Sequence, residues 1–135
     1  MDQNFTRSVL SWYDAGHRDL PWRRTKDAYR IWVSEIMLQQ TRAETVVSYY
    51  ERFLARYPDV RALADAPEEE LLKAWEGLGY YSRARLLQKA ARAIVSQYGG
   101  ELPADLQKLR ALPGVGDYTS GAIASIAFGI PAAAV

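Results

Sequence analysis

The chain has 135 residues, of which 49% are hydrophobic and 24% are charged, the composition of a folded globular domain. The formal net charge is only +1, so a basic surface for a polyanion has to be local. There is no cysteine, which excludes disulfides, thiol catalysis and cysteine-bound metal within these residues, and the one histidine, His17, cannot form a metal site alone. No apolar run reaches the length of a membrane span and no leader pattern opens the chain, so we expect a cytoplasmic protein.

Apolar residues recur every three or four positions along the chain, and alternating strand patterns are absent, so the sequence predicts an all-α fold. Glycines and prolines fall between the periodic blocks, where helices must end or turn. The predicted helices cover 4–15, 27–39, 42–57, 67–76, 80–98, 104–110 and 116–128, with a short turn near 59–65. The last residues are apolar up to Val135 and lack a cap or polar tail, so we expect the structure to continue beyond them.

The first candidate motif is Arg18-Asp19-Leu20-Pro21-Trp22-Arg23-Arg24, an extended segment with an aromatic ring between cations. Such a segment could line a pocket for a flat base, with Trp22 or Arg23 near the plane of the base. It could equally be a loop that packs on the surface of the domain.

The second is a single carboxylate, Glu35, in the most apolar stretch of the chain, which runs over 31–38. At helical spacing no lysine or arginine is placed to pair with it. A carboxyl among tryptophan, isoleucine and leucine should have a raised pKa, which suits a general acid near neutral pH. The alternative is an ordinary helix-face glutamate that reaches solvent or an arginine from another segment.

The third is Gly77-Leu78-Gly79-Tyr80-Tyr81-Ser82-Arg83, where two glycines present aromatics and then cations at the start of a helix. This order suits a surface that wedges into a base stack while Arg83 holds a phosphate. The alternative is that the tyrosines belong to the core and that the cations lie on a solvated face.

The fourth is Leu112-Pro113-Gly114-Val115-Gly116, a glycine-rich turn that enters the helix predicted over 116–128. Backbone N–H groups at such a helix start can bind a phosphate. The turn resembles the helix-hairpin-helix module, which holds the DNA backbone without reading sequence. In that module loop carbonyls often hold a monovalent cation, and here these would be the carbonyls of Leu112 and Val115. The alternative is a glycine turn that only lets two helices pack closely.

Taken together, the four motifs resemble the adenine DNA glycosylases of the MutY type, within the helix-hairpin-helix superfamily. The match is collinear from about Trp12 to Val135. The string Ser34-Glu35-Ile36-Met37-Leu38-Gln39-Gln40-Thr41 points to adenine rather than to the related endonuclease III type, which has no glutamate at that position. The resemblance implies one glycosylase domain over 1–135, a six-helix barrel with its helix-hairpin-helix at 104–128. The helix within 1–17 would belong to a second lobe, and a further iron–sulfur part is absent here.

The resemblance also implies an activity, hydrolysis of the glycosidic bond of adenine mispaired with 8-oxoguanine or guanine, by a monomer that binds double-stranded DNA. Glu35 would protonate adenine at N7, and Arg18, Trp22, Arg23 and Leu38 would surround the base. Gln40 would fill or wedge the stack and Tyr80 would intercalate beside the opposite base. We assign Gln39, Thr41, Arg83, Gly114, Val115 and Gly116 to the DNA-binding surface as well.

Two further expectations follow from the resemblance. Tyr118 stands where bifunctional relatives carry a nucleophilic lysine, so simple base release is expected without strand nicking. The family's second carboxylate, an aspartate, would be the residue after Val135, and the four cysteines of the family's [4Fe-4S] cluster would lie further on. We therefore expect this chain alone to cleave the glycosidic bond at a severely reduced rate. A non-catalytic DNA-binding module and a helical protein-interaction domain remain the alternative functions.

Overall fold

The computed structural model describes residues 20–131, and all regular secondary structure within them is helical, which confirms the all-α prediction. The predicted helix over 4–15, Arg18 and Val135 lie outside the described residues. A 3-10 turn at Pro21–Arg24 is followed by seven helices: α1 (Ala28–Met37), α2 (Ala43–Arg56), α3 (Val60–Asp65), α4 (Glu68–Trp75), α5 (Tyr81–Tyr98), α6 (Leu106–Arg110) and α7 (Asp117–Phe128). Within the same residues, no helix combines the length and apolarity needed to cross a membrane.

Short polar side chains set the starts of three of these helices. The carboxylates of Asp27, Asp59 and Asp105 accept hydrogen bonds from backbone N–H groups three residues later, at 3.0, 2.8 and 2.9 Å. These bonds satisfy donors that a helix start leaves without partners. Gly99 ends α5 in the left-handed conformation, with φ of 68°.

The core is continuous and holds α1 at its centre. Trp32, Val33 and Met37 of α1 are almost completely buried, as is Trp75 at the end of α4. Helix α1 packs along α7 and also contacts α2 and α5, while α3 and α4 pack against α5. This packing places the middle of α1 beside a helix that lies some 80 residues later in the sequence.

Candidate functional site

A pocket of about 570 Å³ lies where α1 and α7 meet the 3-10 turn. It brings together side chains of the first and second candidate motifs with Tyr118 of α7. The lining residues are Trp22, Arg23, Thr25, Ile31, Ser34, Glu35, Leu38, Gln39, Tyr118, Thr119 and Ile126. The predicted acid and three of the four predicted base-pocket residues therefore share one cavity, and the fourth, Arg18, lies outside the described residues.

Glu35 lies in the second half of α1, between the buried side chains of Ser34 and Ile36. Burial raises the pKa of the Glu35 carboxyl above its ordinary value of 4.5, and the described residues supply no opposing cationic contribution. The hydroxyl of Ser34 donates to the carbonyl of Ile31 at 2.8 Å and not to the Glu35 carboxyl. The carboxyl thus faces the pocket in an environment that favours its protonated form.

Trp22 forms one wall of the pocket and is held from behind by Tyr50 of α2. The two rings meet edge to face, with centroids 5.4 Å apart and an interplanar angle of 81°. The backbone N–H of Arg23 donates to the carbonyl of Leu20 at 2.9 Å, which closes the 3-10 turn. Tyr50 is a supporting residue that sequence reasoning missed, because no local pattern joins positions 28 residues apart.

The opposite wall comes from α7. Tyr118 is 62% exposed, and Ile126, two turns later on the same face, is also exposed. Ile126 lines the cavity as well but was not singled out from the sequence, where it looks like any other apolar residue of a helix. A phenol therefore stands at the pocket beside a protonatable carboxyl.

Two exposed turns carry the predicted wedge residues, and both have unusual backbone geometry. Gln40 and Tyr80 have φ of 61° and 54°, and they are the non-glycine residues with positive φ in the part of the chain described. Such a conformation costs about 1–3 kcal/mol for an ordinary side chain and is concentrated at functional sites. Tyr80 is 61% exposed, and Gln40 and its neighbour Gln39 are exposed too. Thr41, which follows, is half-buried.

The glycine turn that carries Tyr80 is held by two neighbouring aromatic residues. The hydroxyl of Tyr49 donates to the carbonyl of Glu76 at 2.8 Å, and the indole N–H of Trp75 donates to the carbonyl of Gly79 at 3.1 Å. A β-carbon at Gly77 would collide with the Tyr49 hydroxyl, and φ of 100° also favours glycine there. These contacts therefore fix the conformation of the turn.

Arg83 is half-buried and directs both terminal nitrogens of its guanidinium at backbone carbonyls, so phosphate binding by this residue stays a prediction. Nη1 points at the carbonyls that end α1, those of Ile36 (2.9 Å), Met37 (3.5 Å) and Gln39. Nη2 points at the carbonyls of Leu78 (3.2 Å) and Gly79 (3.3 Å). These contacts were not predicted from the sequence, because the carbonyls at the end of α1 lie more than 40 residues away along the chain.

The turn between α6 and α7 has the form of a tight hairpin. Leu112 and Val115 point into the core, and the N–H of Val115 donates to the carbonyl of Leu112 at 3.1 Å. Gly114 has φ of 75°, and the exposed Gly116 precedes α7 in an extended conformation. The first N–H groups of α7 thus begin at an exposed glycine, as phosphate binding requires.

A monovalent cation and an iron–sulfur cluster were both considered from the sequence. The cation was expected at the carbonyls of Leu112 and Val115, which flank the exposed Gly114, and the Leu112 carbonyl already accepts the Val115 N–H. Binding there stays a prediction. The cluster does not fit these residues: the chain has no cysteine, and residues 20–131 contain no group of three or more histidine or acidic side chains that could hold a metal.

Comparison with known proteins finds adenine DNA glycosylases of several organisms as relatives of this chain. The chain is 53% identical over 133 residues to the adenine DNA glycosylase of Rattus norvegicus, covering 92% of this chain and 26% of that protein. It is 42% identical over 127 residues to the adenine DNA glycosylase of Buchnera aphidicola subsp. Baizongia pistaciae, covering 93% of this chain and 36% of that protein. The chain thus spans about a quarter to a third of the length of these curated relatives.

Solved structures agree with the fold. A thermostable thymine-DNA glycosylase superposes with a TM-score of 0.80 at 34% identity, covering 94% of this chain and 59% of that chain. A non-covalent endonuclease III–DNA complex superposes with a TM-score of 0.75 at 26% identity, covering 97% of this chain and 62% of that chain. The family description "HhH-GPD superfamily base excision DNA repair protein" matches residues 33–133. The chain belongs to the HhH-GPD superfamily of base excision DNA repair proteins.

Proposed function

We propose that the protein containing this chain is a monofunctional adenine DNA glycosylase, acting as a monomer on adenine opposite 8-oxoguanine or guanine in duplex DNA. The observation that carries the proposal is the Glu35 carboxyl, whose pKa is raised by burial and which opens into the 570 Å³ pocket beside Trp22 and Tyr118. The high identity to adenine DNA glycosylases supports adenine as the base.

The reaction requires the target nucleotide to leave the stack and enter the pocket. There the protonated Glu35 donates its proton to the adenine ring at N7, so the base departs neutral rather than as an anion. The side chains of Trp22 and Leu38 offer apolar surface to the flat base, while Arg23 and Gln39 add polar groups at the pocket. The carboxylate that would stabilise the sugar cation is expected after Val135.

The DNA would be held by three elements, which are the hairpin between α6 and α7, the Gln40 turn and the Tyr80 turn. The exposed hairpin at Gly114 and Gly116 would take a backbone phosphate at the start of α7. Gln40 and Tyr80 would enter the base stack, since both side chains stand on strained, exposed turns. Backbone contacts of this kind position the duplex without reading its sequence.

The monofunctional character rests on Tyr118. A bifunctional glycosylase forms a Schiff base through a lysine amine, and a phenol cannot do so. The basic side chain among the described residues that line the pocket is Arg23, whose guanidinium is likewise no Schiff-base nucleophile. Base release would therefore leave an intact abasic strand.

The test is single-turnover release of adenine from a duplex with one adenine·8-oxoguanine pair, using the complete open reading frame that encodes this chain. Glu35→Gln should lower the rate by at least about 10²–10⁴-fold while duplex affinity stays within a few fold. Glu70→Gln is the matched control, because Glu70 is exposed and paired with Arg56 at 3.0 Å. Full activity of Glu35→Gln would refute the proposal.

The same experiment separates the alternative of a non-catalytic DNA-binding module. All three DNA-facing elements lie within the described residues, which is the observation that favours that alternative. It predicts duplex binding that weakens with salt and no adenine release from the unaltered protein.

A further inference from the structure

We propose that Arg83 is a positioning residue that locks the Gln40 turn and the Tyr80 turn together as one wedge. This inference rests on the proposed function, because the wedge is needed only by a protein that takes a base out of the duplex.

The two terminal nitrogens of Arg83 serve different segments. Nη1 binds the carbonyls that end α1 and lead into Gln40, and Nη2 binds the carbonyls of Leu78 and Gly79, which lead into Tyr80. A planar guanidinium offers this fork at fixed geometry, and a lysine ammonium does not. One rigid group therefore sets the distance between the two turns.

Aromatic contacts complete the arrangement. The Arg83 guanidinium carbon lies 5.5 Å from the centre of the Trp75 ring and 5.3 Å from the centre of the Tyr80 ring. Arg83 thus touches the wedge residue Tyr80 directly as well as through the backbone of its turn.

Two of the carbonyls bound by Nη1, those of Ile36 and Met37, belong to the last turn of α1, where carbonyls lack their regular intrahelical partners. A cation at this end also complements the helix dipole. The contact therefore stabilises the end of α1, one turn or less after Glu35, and orients the residues that follow. Gln40 and Tyr80, which have a left-handed backbone, each directly follow a residue whose carbonyl Arg83 binds, namely Gln39 and Gly79.

The test is a double-mutant cycle in the complete protein, read on DNA distortion rather than on stability. The probe is a duplex with 2-aminopurine beside the base opposite the target adenine, whose fluorescence rises when stacking is broken. At saturating protein, Arg83→Lys should lose most of the rise seen with the unaltered protein, as should Tyr80→Ala. The double variant should lose no more than Tyr80→Ala alone, because Arg83 acts through the wedge.

Arg92→Lys is the matched control. Arg92 lies on the same helix and also donates to a backbone carbonyl, that of Ala64 at 3.0 Å, but it contacts neither turn. Arg92→Lys should keep the full fluorescence rise even if it loses as much thermal stability as Arg83→Lys. A full fluorescence rise with Arg83→Lys, or an equal loss for Arg92→Lys, would overturn the inference.

A measurement on the unaltered protein covers the case in which Arg83→Lys does not fold. Nitrogen spectra of the arginine side chains should show separate, slowly exchanging Nη signals for Arg83 that persist when duplex is added. Signals that shift to a phosphate-bound position would overturn the inference. Adenine release does not enter these readouts, so their failure is distinguishable from failure of the proposed chemistry, which Glu35→Gln tests.

Discussion

The backbone at Gly114 approaches Leu86 so closely that a β-carbon built on the glycine would lie 2.9 Å from the β-carbon of the leucine. Leu86 stands on α5, one turn after Arg83, and Pro113 and Gly114 share a small cavity with both side chains. The hairpin between α6 and α7 is therefore seated directly on the helix that carries Arg83.

Gly114→Ala should lower the free energy of unfolding by about 1–3 kcal/mol, because both the clash with Leu86 and the φ of 75° oppose a side chain. Urea denaturation of the two proteins measures the difference. Gly116→Ser separates folding from binding: its β-carbon meets nothing within 4 Å and φ is −94°, so stability should be kept while duplex binding weakens. Unchanged stability in Gly114→Ala would contradict the packing described here.

Glu35→Gln should make the fold more stable at neutral pH and not at low pH. Because burial raises the pKa of Glu35, the folded state holds a proton that the unfolded state has released between the ordinary value of 4.5 and the raised value. In the unaltered protein the proton on Glu35 stabilises the folded state fully below pH 4.5. This stabilisation is lost as the pH rises through the pKa of Glu35 in the folded state. Denaturation midpoints at pH 4 and pH 8 check the sign, with Glu70→Gln as the control.

The rate of base release should follow the same carboxyl. Activity that depends on a protonated Glu35 falls as the pH rises through its raised pKa. At pH values below this pKa, Glu35 is already protonated, so its titration no longer changes the rate. Single-turnover rates across pH 4–9, measured at saturating enzyme, give the profile. A rate that increases with pH throughout this range would rule out an acid role for the residue.

Tyr118→Lys should introduce a covalent DNA complex that the unaltered protein lacks. The side chain lines the pocket and is mostly exposed, so an amine there could reach the sugar carbon freed by base loss. Borohydride reduction followed by denaturing electrophoresis detects the product. Trapping by the unaltered protein would contradict the monofunctional assignment.

Tyr49→Phe should lower the free energy of unfolding by about 1 kcal/mol, because it removes one hydrogen bond to the carbonyl of Glu76 and leaves the ring in place. Tyr98→Phe, at the end of α5, is the control, since the ring contact with Lys108 survives the change. Thermal unfolding of both variants tests whether the hydrogen bond of Tyr49 stabilises the turn. Equal midpoints for the two variants would show that it does not.

The helices could be predicted from the sequence because their signals are local. The spacing of apolar residues and the breaks at glycine and proline placed six of the seven described helices within a few residues, and the helix at Val60–Asp65 lies where only a short turn was predicted. The raised pKa of Glu35 was predicted as well, since its apolar neighbours along the chain are also its neighbours in space.

The supporting contacts could not be predicted in the same way. Tyr50 behind Trp22 and the carbonyls of α1 around Arg83 are brought together by packing between distant segments. An arginine after two aromatic residues has the same local pattern whether it meets a phosphate or a helix end. Only the fold decides whether a phosphate or a backbone carbonyl is the oxygen acceptor within reach.

The weak acidity of Glu35 exists only while α1 is buried, because it comes from surrounding apolar atoms and not from a covalent property of the residue. An unfolded molecule carries an ordinary glutamate, ionised in the cell and unable to deliver a proton. A protein that removes bases from DNA would thereby lose its reactivity whenever its structure fails. Damage to the fold would leave a harmless chain rather than an unselective one.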